Sequence, residues 1–326
     1  MRIVLDGMGT DRAPGIEMAG AALALRELPN DFEILMVGDQ AILRPELDRH
    51  GDFPRERLTI EHAPDRVLPG TPPATVLRKQ PDSSIVRGLR LHKEGQADAF
   101  VSAGSTGAVM AASLFILRPL EGVDRPAIGT FLPTAREPLL MVDAGANVDC
   151  KPHHLVQFAH LGHIYAQDLM GRAQPRIGLL NIGEEPEKGD EVSVEAHQRL
   201  AREPGIHFVG NVEGREIIKG DIDVLVCDGF CGNVLLKFYE SVAQHFTGML
   251  RRAGLADRPE MQETFRALDY SEYGGAPLLG VNGVSIICHG GSSPKAIMNA
   301  IRVAAQSVRS SMVEHIAREL ASKEPV

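Results

Sequence analysis

Tryptophan is absent from this chain, and tyrosine and phenylalanine supply only 4 and 11 of its 326 residues. Aromatic side chains are too few to fill a core. The core must be aliphatic, as in proteins whose parallel sheets are buried on both faces. Cysteine is nearly as scarce: Cys150, Cys227, Cys231 and Cys288. None has the paired spacing of a metal site, so the four thiols are expected to be reduced and buried in a cytosolic protein. No basic leader, cleavage site or long apolar segment accompanies the opening MRIVLDG, so neither secretion nor a membrane span is expected. The chain has no GxSxG elbow, no Ser-His-Asp arrangement, no Walker A sequence and no GxGxxG after its first strand. Nucleotide-driven and nicotinamide chemistry lose ground; no cofactor is expected and no residue is assigned to a metal. Lys and Arg number 34 against 43 Asp and Glu, a formal net charge of −9. That balance argues against nucleic acid as the main partner. It leaves room for a local basic patch facing an acidic one.

What is present is a rhythm of short Val-, Ile- and Leu-rich runs. They are Ile3–Leu5, Ile34–Val37, Leu58–Ile60, Ala99–Val101, Ile128–Phe131, Leu139–Val142, Ile177–Leu180, Phe208–Val209, Val224–Val226 and Ser285–Cys288. Most lack polar alternation, and helical patterns lie between many of them. The alternation predicts an α/β fold with a doubly wound, mostly parallel sheet. The length fits one α/β domain over 1–326, with 233–280 as a helical subregion. A helix is predicted from Asn233, capped by that residue and ended near Gly254, with Arg251 and Arg252 in its last turn. Beyond it, Met261, Phe265, Leu268, Tyr270, Tyr273, Leu278 and Leu279 read as exposed apolar residues with no clear strand. They suit core packing, a dimer interface, or a platform for an acyl chain or membrane. A last helix is predicted over about Ser293 to Leu320.

The strand exits carry the chemistry. They read DGMGTD from Asp6, HAPD from His62, SAGSTG from Ser102, DAGAN from Asp143, NIGEE from Asn181, NVEGRE from Asn211, DGFCGN from Asp228 and HGGSSP from His289. Ligands of open α/β sheets bind at the carboxyl ends of strands, so eight polar, glycine-bearing exits point to one composite site. In SAGSTG, Gly104, Ser105, Thr106 and Gly107 form a strand–loop–helix junction. Free N–H groups and the helix dipole there suit a phosphate or oxyanion; a plain turn with a Ser or Thr cap is the alternative. Asp6, Asp11, Asp143 and Asp228 could be metal ligands, bases or caps. Asn147, Asn181, Asn211 and Asn233 could polarise a carbonyl or simply bond their loops. Lys188 is a lone cation, read as an anion clamp held among Glu184, Glu185 and Asp190 or as a solvated charge. His289 opens a glycine-rich loop, while His153 and His154 are read as structural. Anion cradles without a strong nucleophile suggest that phosphate is itself a reactant.

Asp6 to Pro14 resembles the opening motif of the bacterial phosphate acyltransferases, the PlsX family of phospholipid synthesis. Ser102–Ala108, Asp143–Asn147, Asn181–Lys188, Asn211–Gly214, Asp228–Asn233 and Gly283–Ser292 resemble its later motifs, in order. The family usually has Ala at Gly7 and Gly at Thr10. The resemblance implies transfer of a fatty acyl group from acyl carrier protein to inorganic phosphate. It implies a homodimer with a fold similar to phosphate acetyltransferases and isocitrate-type dehydrogenases. It also implies a cytoplasmic protein in peripheral contact with the membrane, where a glycerol-3-phosphate acyltransferase could use the product. On this reading Lys188 and Asn233 are catalytic. Gly104, Ser105, Thr106, Gly107, Asp6, Gly9, His289 and Gly290 hold phosphate or the oxyanion. Asn147, Asn211, Asp228, Arg251 and Arg252 meet the acyl donor. A coenzyme A thioester as donor, a dehydrogenase of similar fold, and a non-catalytic carrier-protein or lipid scaffold are the alternatives.

Overall fold

Each of the ten apolar runs forms a strand, because aliphatic and β-branched residues suit a pleated surface covered on both faces. The computed structural model describes residues 1–51, 53–68, 70–255, 258 and 273–321. The chain divides into two compact units, Met1–Glu121 with Tyr273–Ala317, and Gly122–Glu272 with Arg318–Val326.

In the first unit, β1 (Arg2–Asp6), α1 (Gly15–Glu27), β2 (Glu33–Gly38), α2 (Gln40–Arg49) and β3 (Leu58–His62) build outward in one direction. After α3 (Val76–Lys79) and α4 (Ser84–Lys93), the chain returns to the other side of β1 with β4 (Ala99–Ser102) and α5 (Thr106–Ile116). The late strands β10 (Ala276–Leu279) and β11 (Val284–Ile287) complete the order β3-β2-β1-β4-β11-β10. All pairs are parallel except β10 with β11. Ile3 pairs with Ile34 and Ala99, and Val284 with Ala99. The reversal of strand order at β1 and β4 is the switch point at which such sheets open a crevice. The exits of β1, β4 and β11 are therefore neighbours.

In the second unit, β5 (Ala127–Leu132), β6 (Leu139–Val142), β7 (Arg176–Asn181), β8 (His207–Glu213) and β9 (Val224–Val226) lie in the order β5-β6-β9-β7-β8. Only β5 runs against its neighbour among the described pairs. Helices α6 (Pro152–Asp168) and α7 (Glu191–Leu200) flank this sheet, and α8 (Gly229–Arg252) follows β9. The exits of β6, β9, β7 and β8 are again side by side.

Three expectations need correction. The helix predicted from Asn233 begins at Gly229, because the Asp228 carboxylate caps it by accepting the N–H groups of Phe230 and Cys231. Leu278 and Leu279 are not exposed. They are 2% and 0% accessible in β10, a strand within the stretch expected to be helical. Met261, Phe265, Leu268 and Tyr270 lie outside the described residues. The predicted C-terminal helix is two helices, α9 (Pro294–Arg309) and α10 (Met312–Ala321), broken where Ser311 takes a left-handed φ of 53°. Its apolar periodicity continues across that break, with Val303 and Ile316 both buried. No described helix is long and apolar enough to cross a membrane.

Candidate active site

In the first unit the site begins with a buried acid. Asp6 ends β1 at 0% accessibility. Its Oδ1 accepts the Met8 N–H at 3.0 Å and its Oδ2 the Ser102 hydroxyl at 2.6 Å. Ser102 Oγ in turn accepts the Gly104 N–H at 3.0 Å. Burial pushes the Asp6 pKa up, while Ser102, Ser84, the Met8 amide and the Arg66 charge pull it back. Asp6 was expected to touch phosphate; it is a buried acceptor that ties the exits of β1 and β4 together.

The loops themselves meet backbone to backbone. A Cβ on Gly9 would lie 2.6 Å from the Gly104 nitrogen, so only glycine permits this approach. Asp11 N–H donates to the Gly290 carbonyl at 2.9 Å, which joins HGGSSP to the same group. Ser105 caps α5 without a side-chain bond, and among the described residues the first-turn amides and the Ser105 and Thr106 hydroxyls have no hydrogen-bond partner. Thr106 is exposed, and Gly104, Ser105 and Gly107 are half-buried. His289 is exposed, and its Nδ1 accepts the Gly291 N–H at 3.0 Å. A neutral His289 is thereby fixed with its proton on Nε2, a donor. Amides, hydroxyls and an imidazole N–H form a donor-rich cradle of the kind that binds an anion.

In the second unit another buried acid plays the part of Asp6. Asp143, at 0% accessibility, accepts from Ile128, Gly145 and Ala146 through Oδ1, and from the Asn147 amide and Asn147 Nδ2 through Oδ2. Burial still raises its pKa against those bonds. Asn147 Nδ2 also donates to the Pro126 carbonyl at 2.8 Å, so this side chain is spent on the loop. Gly229 N–H donates to the Asn147 carbonyl at 2.7 Å, and a Cβ on Gly232 would collide with the Asp143 carbonyl. The first turn of α8 thus lies directly on the DAGAN loop. This puts Asn233 against Gly145, whose added Cβ would be 3.4 Å from Asn233 Cβ.

Asn233 is exposed, and its amide is bonded to no side chain or backbone group among the described residues. Lys188 is exposed too, and its ammonium has no ion pair among the described residues. The expected clamp of Glu184, Glu185 and Asp190 does not form. Backbone bonds hold the loop instead: Lys188 N–H to the Glu185 carbonyl, and Asn181 Nδ2 to the Lys188 carbonyl at 2.9 Å. Asp190 caps α7 by accepting the Ser193 N–H. Asn211, expected to meet the acyl donor, is spent: its Oδ1 accepts from His197 Nδ1 at 3.0 Å and its Nδ2 donates to the Glu185 carbonyl. Asp228 is likewise committed to capping α8. Arg251 and Arg252 stand exposed in the last turn of that helix.

Sequence reasoning passed over Glu17 and Arg66. Both carried a signal: Glu17 is an acid in the first turn of a helix that runs apolar from Met18 to Leu25, and Arg66 is a cation just past a strand exit. It also left His153 and His154 without a partner, which is corrected by Asp124. Its Oδ2 lies 3.1 Å from His153 Nε2 and 2.8 Å from His154 Nε2. The three side chains have the spacing of a metal site. His154 Nδ1, however, accepts the Lys151 N–H at 2.9 Å, which fixes the His154 proton on Nε2, the atom a metal would need. Asp124 and His153 border a cavity of about 740 Å³ whose lining contains none of the expected site residues. The cysteines are poor nucleophiles. Burial, with Asp228 and Asp190 nearby, pushes Cys231 up to about 12; burial lifts Cys288 to about 12 and Cys150 to about 11.

A family model described as "Fatty acid synthesis protein" matches residues 1–315. A phosphate acyltransferase of Heliobacterium modesticaldum is 50% identical over 337 residues, spanning 100% of both chains. One from Desulforamulus reducens is 49% identical, covering 98% of this chain and 97% of its own. Among solved structures, a phosphotransacetylase from Streptococcus pyogenes shares the fold, with a TM-score of 0.62 and 19% identity over 95% of this chain and 94% of its own. Identity at this level along the whole length, with the donor-rich strand exits in place, means that the chain belongs to the phosphate acyltransferase family and is an acyltransferase.

Proposed function

We propose that this enzyme transfers a fatty acyl group from an acyl carrier protein thioester to inorganic phosphate, giving acyl phosphate for phospholipid synthesis. The observation that carries the reading is the cradle at Ser105–Gly107, whose amides and hydroxyls have no partner among the described residues. A phosphate oxygen attacks the thioester carbon and the C–O bond forms. The tetrahedral intermediate collapses with loss of the C–S bond, and the carrier thiol takes up a proton. Phosphate is already nucleophilic at neutral pH, so the protein's task is to hold and align it, worth ~7–11 kcal/mol. Gly104–Gly107, with Gly290 and the His289 Nε2–H, hold the phosphate. Lys188 and Asn233, exposed donors whose side chains have no partner among the described residues, serve the developing oxyanion. The test is incubation with carrier-protein thioester and phosphate, trapping acyl phosphate as the hydroxamate, with coenzyme A thioester in parallel. Phosphate-dependent hydroxamate from the carrier-protein donor supports the proposal. Product from coenzyme A alone would transfer the role to that donor, and binding without product would make the protein a scaffold.

Phe230, Val234, Phe238, Phe246 and Met249 line α8 at 40–68% accessibility. We propose that a second copy of the chain covers part of this stripe and that the rest rests on the cytoplasmic face of the membrane, near a glycerol-3-phosphate acyltransferase. Arg251 and Arg252, at its end, would face the acidic carrier protein. Phe238→Glu with Phe246→Glu is expected to lower the sedimenting mass to that of one chain or to abolish recovery with anionic liposomes. A variant unchanged in both would refute both roles.

A further inference from the structure

We propose that Glu17 and Thr10 form a positioning clamp that fixes the first loop against the Ser102–Gly107 loop and so sets how tightly phosphate is held, an inference that rests on the reading of that loop as the phosphate site. Every polar atom of Thr10 is engaged. Its N–H donates to Glu17 Oε1, its hydroxyl donates to Glu17 Oε2 at 3.0 Å, and its carbonyl accepts from Arg66 Nη2 at 2.6 Å. Both side chains are buried, Thr10 at 1% and Glu17 at 0%. Thr10 also has an ordinary φ, since among the described residues Arg118 and Ser311 are the non-glycine ones with positive values. The residue before it, Gly9, is the one pressed onto Ala103 and Gly104. The residue after it, Asp11, holds Gly290. A shift of Thr10 would therefore move two of the three loops of the cradle.

The clamp has a pH signature. Burial, with Asp6 nearby, raises Glu17 to about 7 against its bonds from Thr10. The groups facing it are Asp6 from β1, Thr10 with Arg66 behind it, and Cys288 past β11, whose thiol stays protonated. Above about pH 7 a carboxylate accepts both Thr10 donors; below it Glu17 is neutral. The sign for stability is opposite. A raised carboxyl pKa contributes stability that is full below the unfolded value and lost as pH rises through the folded one.

The experiment compares wild type with Glu17→Gln, Thr10→Val, Thr10→Ser and Thr106→Val, measuring KM for phosphate and for the acyl donor between about pH 6 and pH 8.5. Phosphate titrates identically in all of them, so ratios to wild type isolate the protein. Glu17→Gln should match wild type at the acid end, where both groups are neutral, and raise the phosphate KM roughly tenfold at the alkaline end. Its melting temperature there should equal or exceed that of wild type. Thr10→Val should raise the phosphate KM and leave the donor KM alone, and Thr10→Ser should restore it. A flat ratio, equal effects on both substrates, or effects that merely follow melting temperature would overturn the clamp. If Thr106→Val moves the phosphate KM while the clamp variants do not, the clamp alone fails. If Thr106→Val has no effect, the loop is not the phosphate site and both readings fall.

Discussion

Replacing Lys188 or Asn233 with alanine is expected to lower kcat by about two to three orders of magnitude each, the cost of removing one oxyanion donor. Both side chains are exposed and bonded to nothing within the described residues, so truncation leaves no buried group unsatisfied. Stability should stay within about 0.5 kcal/mol of wild type. This separates the two from Asn147 and Asn211, whose amides are built into the fold. If both donors serve the same oxyanion, the double variant should lose less than the product of the two single losses. Lys188→Arg keeps the charge but not the compact ammonium, and should restore only part of the rate. Unchanged kcat in Lys188→Ala would make that lysine an ordinary solvated charge, and the same result for Asn233 would leave the oxyanion to backbone amides.

Asp143→Ala is expected to be the most destabilising single change in the second unit. Four backbone N–H groups and the Asn147 amide converge on this carboxylate; alanine would leave the four N–H groups without this acceptor and Asn147 Nδ2 with the Pro126 carbonyl alone. Each buried donor left unmade costs about 1–3 kcal/mol, and partial relaxation brings the sum to about 4–5 kcal/mol. Asp143→Asn keeps an acceptor oxygen but turns an NH₂ toward donors, so it should fall between alanine and wild type. Because α8 lies on the Asp143–Asn147 loop, the same change should displace Asn233 and lower activity beyond the fraction unfolded. Urea denaturation with activity measured well below the midpoint checks both parts. An alanine variant within about 1 kcal/mol of wild type would show that the loop holds itself without its acid.

The strands were legible because burial on both faces leaves uninterrupted aliphatic runs. The exits were legible because glycine and small polar residues cluster where strands end. Strand β10 was not: it is four residues long, contains Pro277 and follows Gly274 and Gly275. The break between α9 and α10 was hidden because two serines ended a helix whose apolar pattern carried on. In the site, the sequence placed the right residue types at the exits without revealing which were free. Asp6 meets Ser102 from 96 residues away, and Asn211 reaches back 26 residues to Glu185. Commitments of that kind are made across neighbouring strands and loops, and no local pattern encodes them. Lys188 and Asn233 stand out once the structure shows that Asp6, Asn147, Asn211 and Asp228 are engaged in holding it together.

The proposed direct attack by phosphate predicts that no covalent acyl-enzyme forms. Cys231, the tempting thiol in DGFCGN, sits in the first turn of α8, but its pKa of about 12 leaves almost no thiolate at neutral pH. Intact-protein mass spectrometry after incubation with the acyl donor alone tests the point. The mass should be unchanged after denaturation, with acyl phosphate appearing only once phosphate is added. A stoichiometric acyl adduct that forms without phosphate and disappears on adding it would contradict direct transfer.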